Sequence, residues 1–231
     1  MSQFRPLSVK QERRLVEYLD EEFIKLTRGY KKRLDPDSHV PTLPSYLEVT
    51  QKLLSMILQI PPFDPSTSLR TTFLLRLTSD AFNAIPGYTP NAQDLPTLID
   101  WLDDLDQAWL VVLRLQVWDP KEGAGITVEL STNSNVRSSP ITQTERTRLK
   151  SLLLGAVEML EGWMECLDGR TADVDGDEEQ GDMEGMLGRL EVRDGFNDVF
   201  SRTLRELGQS TAMDTDPDLN IFHEEAAMSC G

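Results

Sequence analysis

Apolar residues recur at helical spacing over most of the chain. Leu15, Val16, Leu19, Phe23, Leu26 and Tyr30 form one stripe, with Arg13, Arg14, Glu17, Asp20 and Glu21 opposite. Ser8 with Gln11 is a capping box ahead of that helix, and Arg28, Lys31, Lys32 and Arg33 close it. A loop through Pro36, Pro41 and Pro44 follows. Ser45 with Glu48 reads as a second capping box, ahead of a stripe through Val49, Leu53, Leu54, Ile57 and Leu58 that Pro61 and Pro62 stop. A third helix, capped within Ser66 to Ser68, turns Leu69, Phe73, Leu74, Leu77, Ala81 and Phe82 inward and ends near Pro86-Gly87.

The stretch Asp94 to Trp118 organises the rest. Asp94 is placed to cap it and Pro96 sits in its first turn, where a missing N–H costs little. Leu98, Trp101, Leu102, Leu105, Ala108 and Trp109 face one way while Asp100, Asp103, Asp104 and Asp106 gather opposite. Beyond Trp109 only Arg114 and Gln116 are polar. A helix apolar all round is buried all round, so the second half belongs at the centre of the fold. The competing reading makes Leu113, Leu115 and Val117 one face of a buried strand; unbroken periodicity from Leu95 favours the helix. A buried Arg114 would need a carboxylate or carbonyl partner.

From Asp119 to Ser139 the composition is that of a loop, with Ile126 to Leu130 a short strand lacking an evident partner. Thr142 with Glu145 is a third capping box. It opens a helix whose stripe runs through Leu149, Leu152, Leu153, Ala156, Val157, Leu160, Trp163, Met164 and Leu167. The glycine-bearing acidic run that follows has almost nothing to bury. The pattern therefore predicts an all-α bundle of five or six helices: a domain over residues 1–168, a disordered acidic linker over 169–184, a helix over 185–208, and a mobile C-terminal tail over 209–231. In the last helix Phe196, Val199, Phe200, Leu204 and Leu207 form an apolar face. Gly188 and Gly195 weaken it by about 1 kcal/mol each relative to alanine. Such a helix either completes the core or docks on a partner, and these five residues are the candidate partner-binding face.

Charge narrows the function classes. A formal charge of −16 argues against broad nucleic-acid binding and for solubility or basic partners. The N-terminus lacks an apolar signal core, and no apolar run reaches the roughly 18 residues of a membrane span, so an intracellular place, nuclear or cytoplasmic, is expected. Two cysteines, Cys166 and Cys230, make no disulfide framework.

Catalytic motifs are absent: no phosphate loop, GxGxxG, HExxH, GxSxG or CxxC. His39 and His223 have no evident rigid element to hold them against a nucleophile. Asp100, Asp103 and Asp104 have a spacing at which carboxylates hold Mg²⁺, but also one that simply suits a helix N-terminus. Asp173, Asp175, Asp177 and Glu184 mimic a calcium loop, yet Glu178 stands where the sharp turn needs glycine. No metal, cofactor or catalytic residue is assigned. Arg28, Lys31, Lys32 and Arg33, with Tyr30 among them, are a weak candidate basic patch; cations at a helix C-terminus also need no ligand. Trp118 and Trp163 suit core positions better than a ligand pocket. Asp218 to Phe222 has the look of a short docking peptide and equally of an ordinary tail. The expected function is a non-enzymatic helical adaptor or subunit bound to one or more proteins. The alternative is an acidic chaperone-like protein that shields a basic partner, with nucleic acid reached only through that partner.

Overall fold

Ser8 starts the first helix as expected. In the computed structural model, which describes residues 5–127, 140–172 and 198–213, its hydroxyl accepts from the Gln11 N–H while the Gln11 side chain accepts from the Ser8 N–H at 2.9 Å. That helix, α1 (Val9–Lys31), buries Leu19, Phe23 and Leu26. The second, α2 (Leu43–Leu58), begins earlier than the expected Ser45 cap. Thr42 is the cap and Ser45 its reciprocal partner, with the Thr42 N–H donating to Ser45 Oγ at 3.1 Å. Pro44 fits the first turn, where its missing N–H is no loss, and Glu48 is left to pair with Lys52 at 2.7 Å.

The third helix, α3 (Ser66–Ala84), has no side-chain cap. Ser66 is buried and instead accepts from the Leu7 N–H at 3.1 Å and donates to Glu12 at 2.7 Å, tying the starts of α3 and α1 together. Two single 3-10 turns, Ile85–Gly87 and Ala92–Asp94, lead into α4 (Leu95–Leu113). Asp94 gives no side-chain cap to α4; Asn91 caps the preceding turn by accepting from the Gln93 N–H at 3.1 Å.

α4 is buried on all sides from Ala108 to Leu113 and ends there, five residues before the expected Trp118. Leu115 takes a left-handed conformation (φ 55°), and the N–H groups of Leu115 and Gln116 return to the carbonyls of Val112 and Val111. This closing geometry usually carries glycine, so a leucine there hides the helix end from sequence. Val117–Asp119 (β1) then pairs antiparallel with Ala124–Ile126 (β2), Trp118 opposite Gly125. The competing buried-strand reading fails at Leu113, which ends α4, and at left-handed Leu115; only half-buried Val117 lies in a strand. Of the expected strand Ile126–Leu130 only Ile126 is found in β2, which starts earlier, at Ala124, with β1 as its partner, and residues 128–130 lie outside the described residues. The hairpin turns at Gly123, which has φ 60°.

α5 (Gln143–Ala172) starts on the expected Thr142–Glu145 box, buries Leu149, Leu153, Ala156, Leu160 and Trp163, and continues past residue 168. A last helix, α6 (Ser201–Met213), packs on α4 and α5. The fold is all-α: six α-helices and one hairpin among the described residues, with α2 against α3 and α4, and α1 across α2 and α3. One apolar core joins all six helices. Trp109 lies at its centre, fully buried, its indole N–H donating to Thr78 at 3.1 Å. The expected last helix (185–208) and tail (209–231) are displaced: residues 198–200 form a turn, and the helix runs on through 209–213. The remaining expected linker (173–184), residues 185–197 and residues 214–231 lie outside the described residues.

Candidate interaction surface

Four aspartates on α4 have different tasks. Asp106 is buried, and its carboxylate accepts from Arg202 Nε at 2.7 Å and from the Thr203 N–H at 3.0 Å. The Thr203 hydroxyl donates to the Asp106 carbonyl at 3.1 Å. Asp103, largely exposed, pairs with the other arm of Arg202. A few residues on, Arg114 reaches Glu206 of α6 at 2.8 Å; its side chain is half-exposed, so it is not the buried cation of the fold. These contacts fasten α6 along α4.

Apolar packing completes that seam. Phe200 is fully buried with a left-handed backbone (φ 60°), edge-on to Phe82 at 5.6 Å. Leu207 is buried as well, while Val199 and Leu204 are partly buried against the same core. The structure thus gathers four of the five candidate partner-binding residues onto this chain's own bundle; Phe196 lies outside the described residues. A partner reaching Phe200 or Leu207 would have to lift α6 first.

The other two aspartates face a cleft between α2 and α4 that remains open. Its volume is about 570 Å³, with Pro44, Leu47 and Trp101 as apolar lining and Glu48, Lys52, Asp100 and Asp104 as the charged lining. Asp104 accepts from Gln51 Nε2 at 2.6 Å. Partial burial pushes the Asp104 carboxyl above its ordinary value, the Gln51 hydrogen bond opposes the shift, and Asp103 and Asp100 add to it. Two buried polar atoms here have no hydrogen-bond partner among the described residues: the Trp101 indole Nε1 and the Gln51 Oε1.

The basic end of α1 is partly committed to the fold. Arg33 donates to the Gly87 carbonyl at 3.0 Å and stacks over Tyr30 at 4.5 Å, whereas Arg28, Lys31 and Lys32 are exposed. Tyr30, Tyr46 and Tyr88 form an aromatic cluster beneath, with the Tyr88 hydroxyl donating to the Val40 carbonyl at 3.0 Å. Trp163 serves the core, donating to the Tyr88 carbonyl at 2.9 Å, and Trp118 sits half-buried in the hairpin. His39 is exposed, its ring against Gly29.

The buried cation is Arg70, which sequence reasoning passed over. It is 1% exposed, donates to the Gln116 carbonyl at 2.7 Å, and leaves Nε and Nη2 without partners among the described residues. Burial lowers its pKa to about 10. Its signal was its place on the α3 stripe, three and four residues before Phe73 and Leu74. Arg202 and Thr203 were missed as well, because nothing in sequence says which polar residues of an amphipathic helix will meet a carboxylate.

Among the described residues no three His, Cys, Asp or Glu side chains gather as a metal site, and no helix is long and apolar enough to cross a membrane. The failed calcium loop, Cys230, His223 and the Asp218–Phe222 segment lie outside the described residues. No protein-family model, characterised protein or solved structure matches the chain.

Proposed function

We propose that this chain is a non-enzymatic helical adaptor, or a subunit of a larger intracellular complex, nuclear or cytoplasmic, that binds one or more proteins. The observation that carries the reading is the α2–α4 cleft, where an apolar lining that includes Trp101 lies beside Glu48, Asp100 and Asp104. Interfaces use such a combination: a buried aromatic supplies most of the energy and charges around it choose the partner. The α6 seam is the second surface, because an amphipathic helix laid against an apolar face is the arrangement by which partner helices dock in grooves.

Affinity purification of the tagged full chain at low and high salt is the test. A defined set of proteins recovered at both salt concentrations supports the adaptor reading, because apolar docking survives screening. The charge of −16 favours a second reading, an acidic chaperone-like protein shielding a basic partner. Basic proteins recovered at low salt alone would support that one. Turnover of a substrate by the purified chain without partners would refute both.

A further inference from the structure

We propose that the α2–α4 cleft binds a short segment of a basic partner protein, seating an apolar side chain against Trp101 and Leu47 and a neighbouring arginine or lysine among Glu48, Asp100 and Asp104. This assignment rests on the adaptor reading and names the chemistry of its partner.

Charge complementarity chooses the occupant. Three carboxylates and one lysine line the cleft, a net formal charge of −2, and Lys52 is already held by Glu48 at 2.7 Å. Asp100 and Asp104 have no cationic partner among the described residues, unlike Asp103 and Asp106, which share Arg202. The apolar edge of the lining argues against a plain polyamine, which carries no apolar side chain to set against it. The apolar and acidic linings lie side by side, so an occupant carrying an apolar and a cationic side chain together, a peptide, fits both. Trp101 is 4% exposed and its indole N–H lacks an acceptor among the described residues, while the Gln51 amide oxygen lacks a donor. Both atoms are shielded from solvent in the free chain, so a segment's backbone N–H meets the Gln51 oxygen only after that side chain swings off Asp104. An incoming guanidinium replaces the Gln51 amide on Asp104, and the freed amide turns to the segment's backbone. Arginine is preferred to lysine, because its planar fork pairs with carboxylates in two-point fashion and stacks on an indole face.

The experiment uses the full chain and three short synthetic peptides, carrying leucine with arginine, leucine with glutamate, or serine with arginine. Binding is read by fluorescence anisotropy of labelled peptides. Placement is read from the Trp101 indole N–H resonance, assigned by its loss in Trp101→Phe. The leucine–arginine peptide alone should shift that resonance. Its affinity should fall several-fold with salt without being abolished, because the leucine contact survives screening, and Asp100→Asn should weaken it about tenfold, as for a close interfacial charge. Asp100 is exposed, so that variant leaves the fold intact. Equal binding of the leucine–glutamate peptide, an unmoved Trp101 resonance, or no binding by any peptide would overturn the assignment. So would a Trp101 shift produced by Arg189→Glu or Arg193→Glu without peptide, since the chain's own residues 185–197 would then be the occupant. A shift that grows with protein concentration would name a second copy instead and overturn it too. Partners recovered equally by wild type and Asp100→Asn would remove the cleft assignment while leaving the adaptor reading standing. Recovery of no partner by wild type would remove the adaptor reading itself.

Discussion

Replacing Asp106 with alanine asks how firmly α6 belongs to the bundle. The carboxylate takes two hydrogen bonds, from the Thr203 N–H at 3.0 Å and from Arg202 Nε at 2.7 Å. Asp106→Ala leaves the buried Thr203 N–H without an acceptor, a loss of about 1–3 kcal/mol. Arg202 is 40% exposed and keeps Asp103, so its share is screened to about 1 kcal/mol or less. Removing a carboxylate that had been taken from water returns part of this. The net expectation is about 1–3 kcal/mol, which for a domain of this size lowers the melting temperature by about 2–12 °C. Asp106→Asn should recover about half, since its amide oxygen still meets the Thr203 N–H. Asp103→Ala, at a largely exposed position, should change stability by about 0.5 kcal/mol or less. Thermal melting gives the magnitude, and amide hydrogen exchange over residues 198–208 shows whether the loss is local to α6 or shared by the core. Should Asp106→Ala melt with wild type, or be indistinguishable from Asp103→Ala, the seam is not held as described.

Three further outcomes follow from the buried polar groups. Arg70→Met should melt within a few degrees of wild type or above it, because an apolar side chain of similar volume replaces a cation with two unpaired donors; Arg70→Ala should be clearly worse through the cavity it leaves. Burial raises the Tyr46 and Tyr88 phenols above their ordinary 10.0, so the folded state binds their protons more tightly. Their contribution is complete below about pH 10 and lost above it; absorbance near 295 nm should show these two ionising only as helicity disappears. Ionisation by both before unfolding would refute their burial. Asp104→Asn should keep or slightly raise the melting temperature, since it removes a partly desolvated charge while leaving an acceptor for Gln51, yet weaken binding of the leucine–arginine peptide. A destabilised variant with unchanged binding would reverse both halves.

Helical periodicity made most of this architecture legible. The stripes of α1 and α5, their capping boxes and the all-round burial of late α4 are direct consequences of which residues recur at 3.6-residue spacing. Errors fell where a local competitor used the same letters. Ser45 fits a cap, but Thr42 with Ser45 forms one a turn sooner. Leu115 carries no sign of a helix end, because its left-handed conformation is secured by the return bonds to Val111 and Val112 rather than by glycine. The candidate surface was less visible. Asp100, Asp103, Asp104 and Asp106 read as one acidic face, whereas position around the helix sends Asp103 and Asp106 to α6 and Asp100 and Asp104 to the α2 side. Pairing between elements separated by 90 or more residues, as in Arg114 with Glu206, has no local signature.

The seam between α4 and α6 also sets an order of events at the ribosome. Asp106 and Phe82 are made long before Phe200 and Arg202. At about 5–20 residues per second, the 94 residues from Leu113 to Leu207 take about 5–20 s to synthesise. Over that interval the earlier helices can collapse around Trp109, while the surface that α6 will cover stays bare. A nascent chain therefore displays a buried-type carboxylate and an aromatic edge that the finished protein hides. The last of the described helices to be made, α6, is the segment that closes that surface.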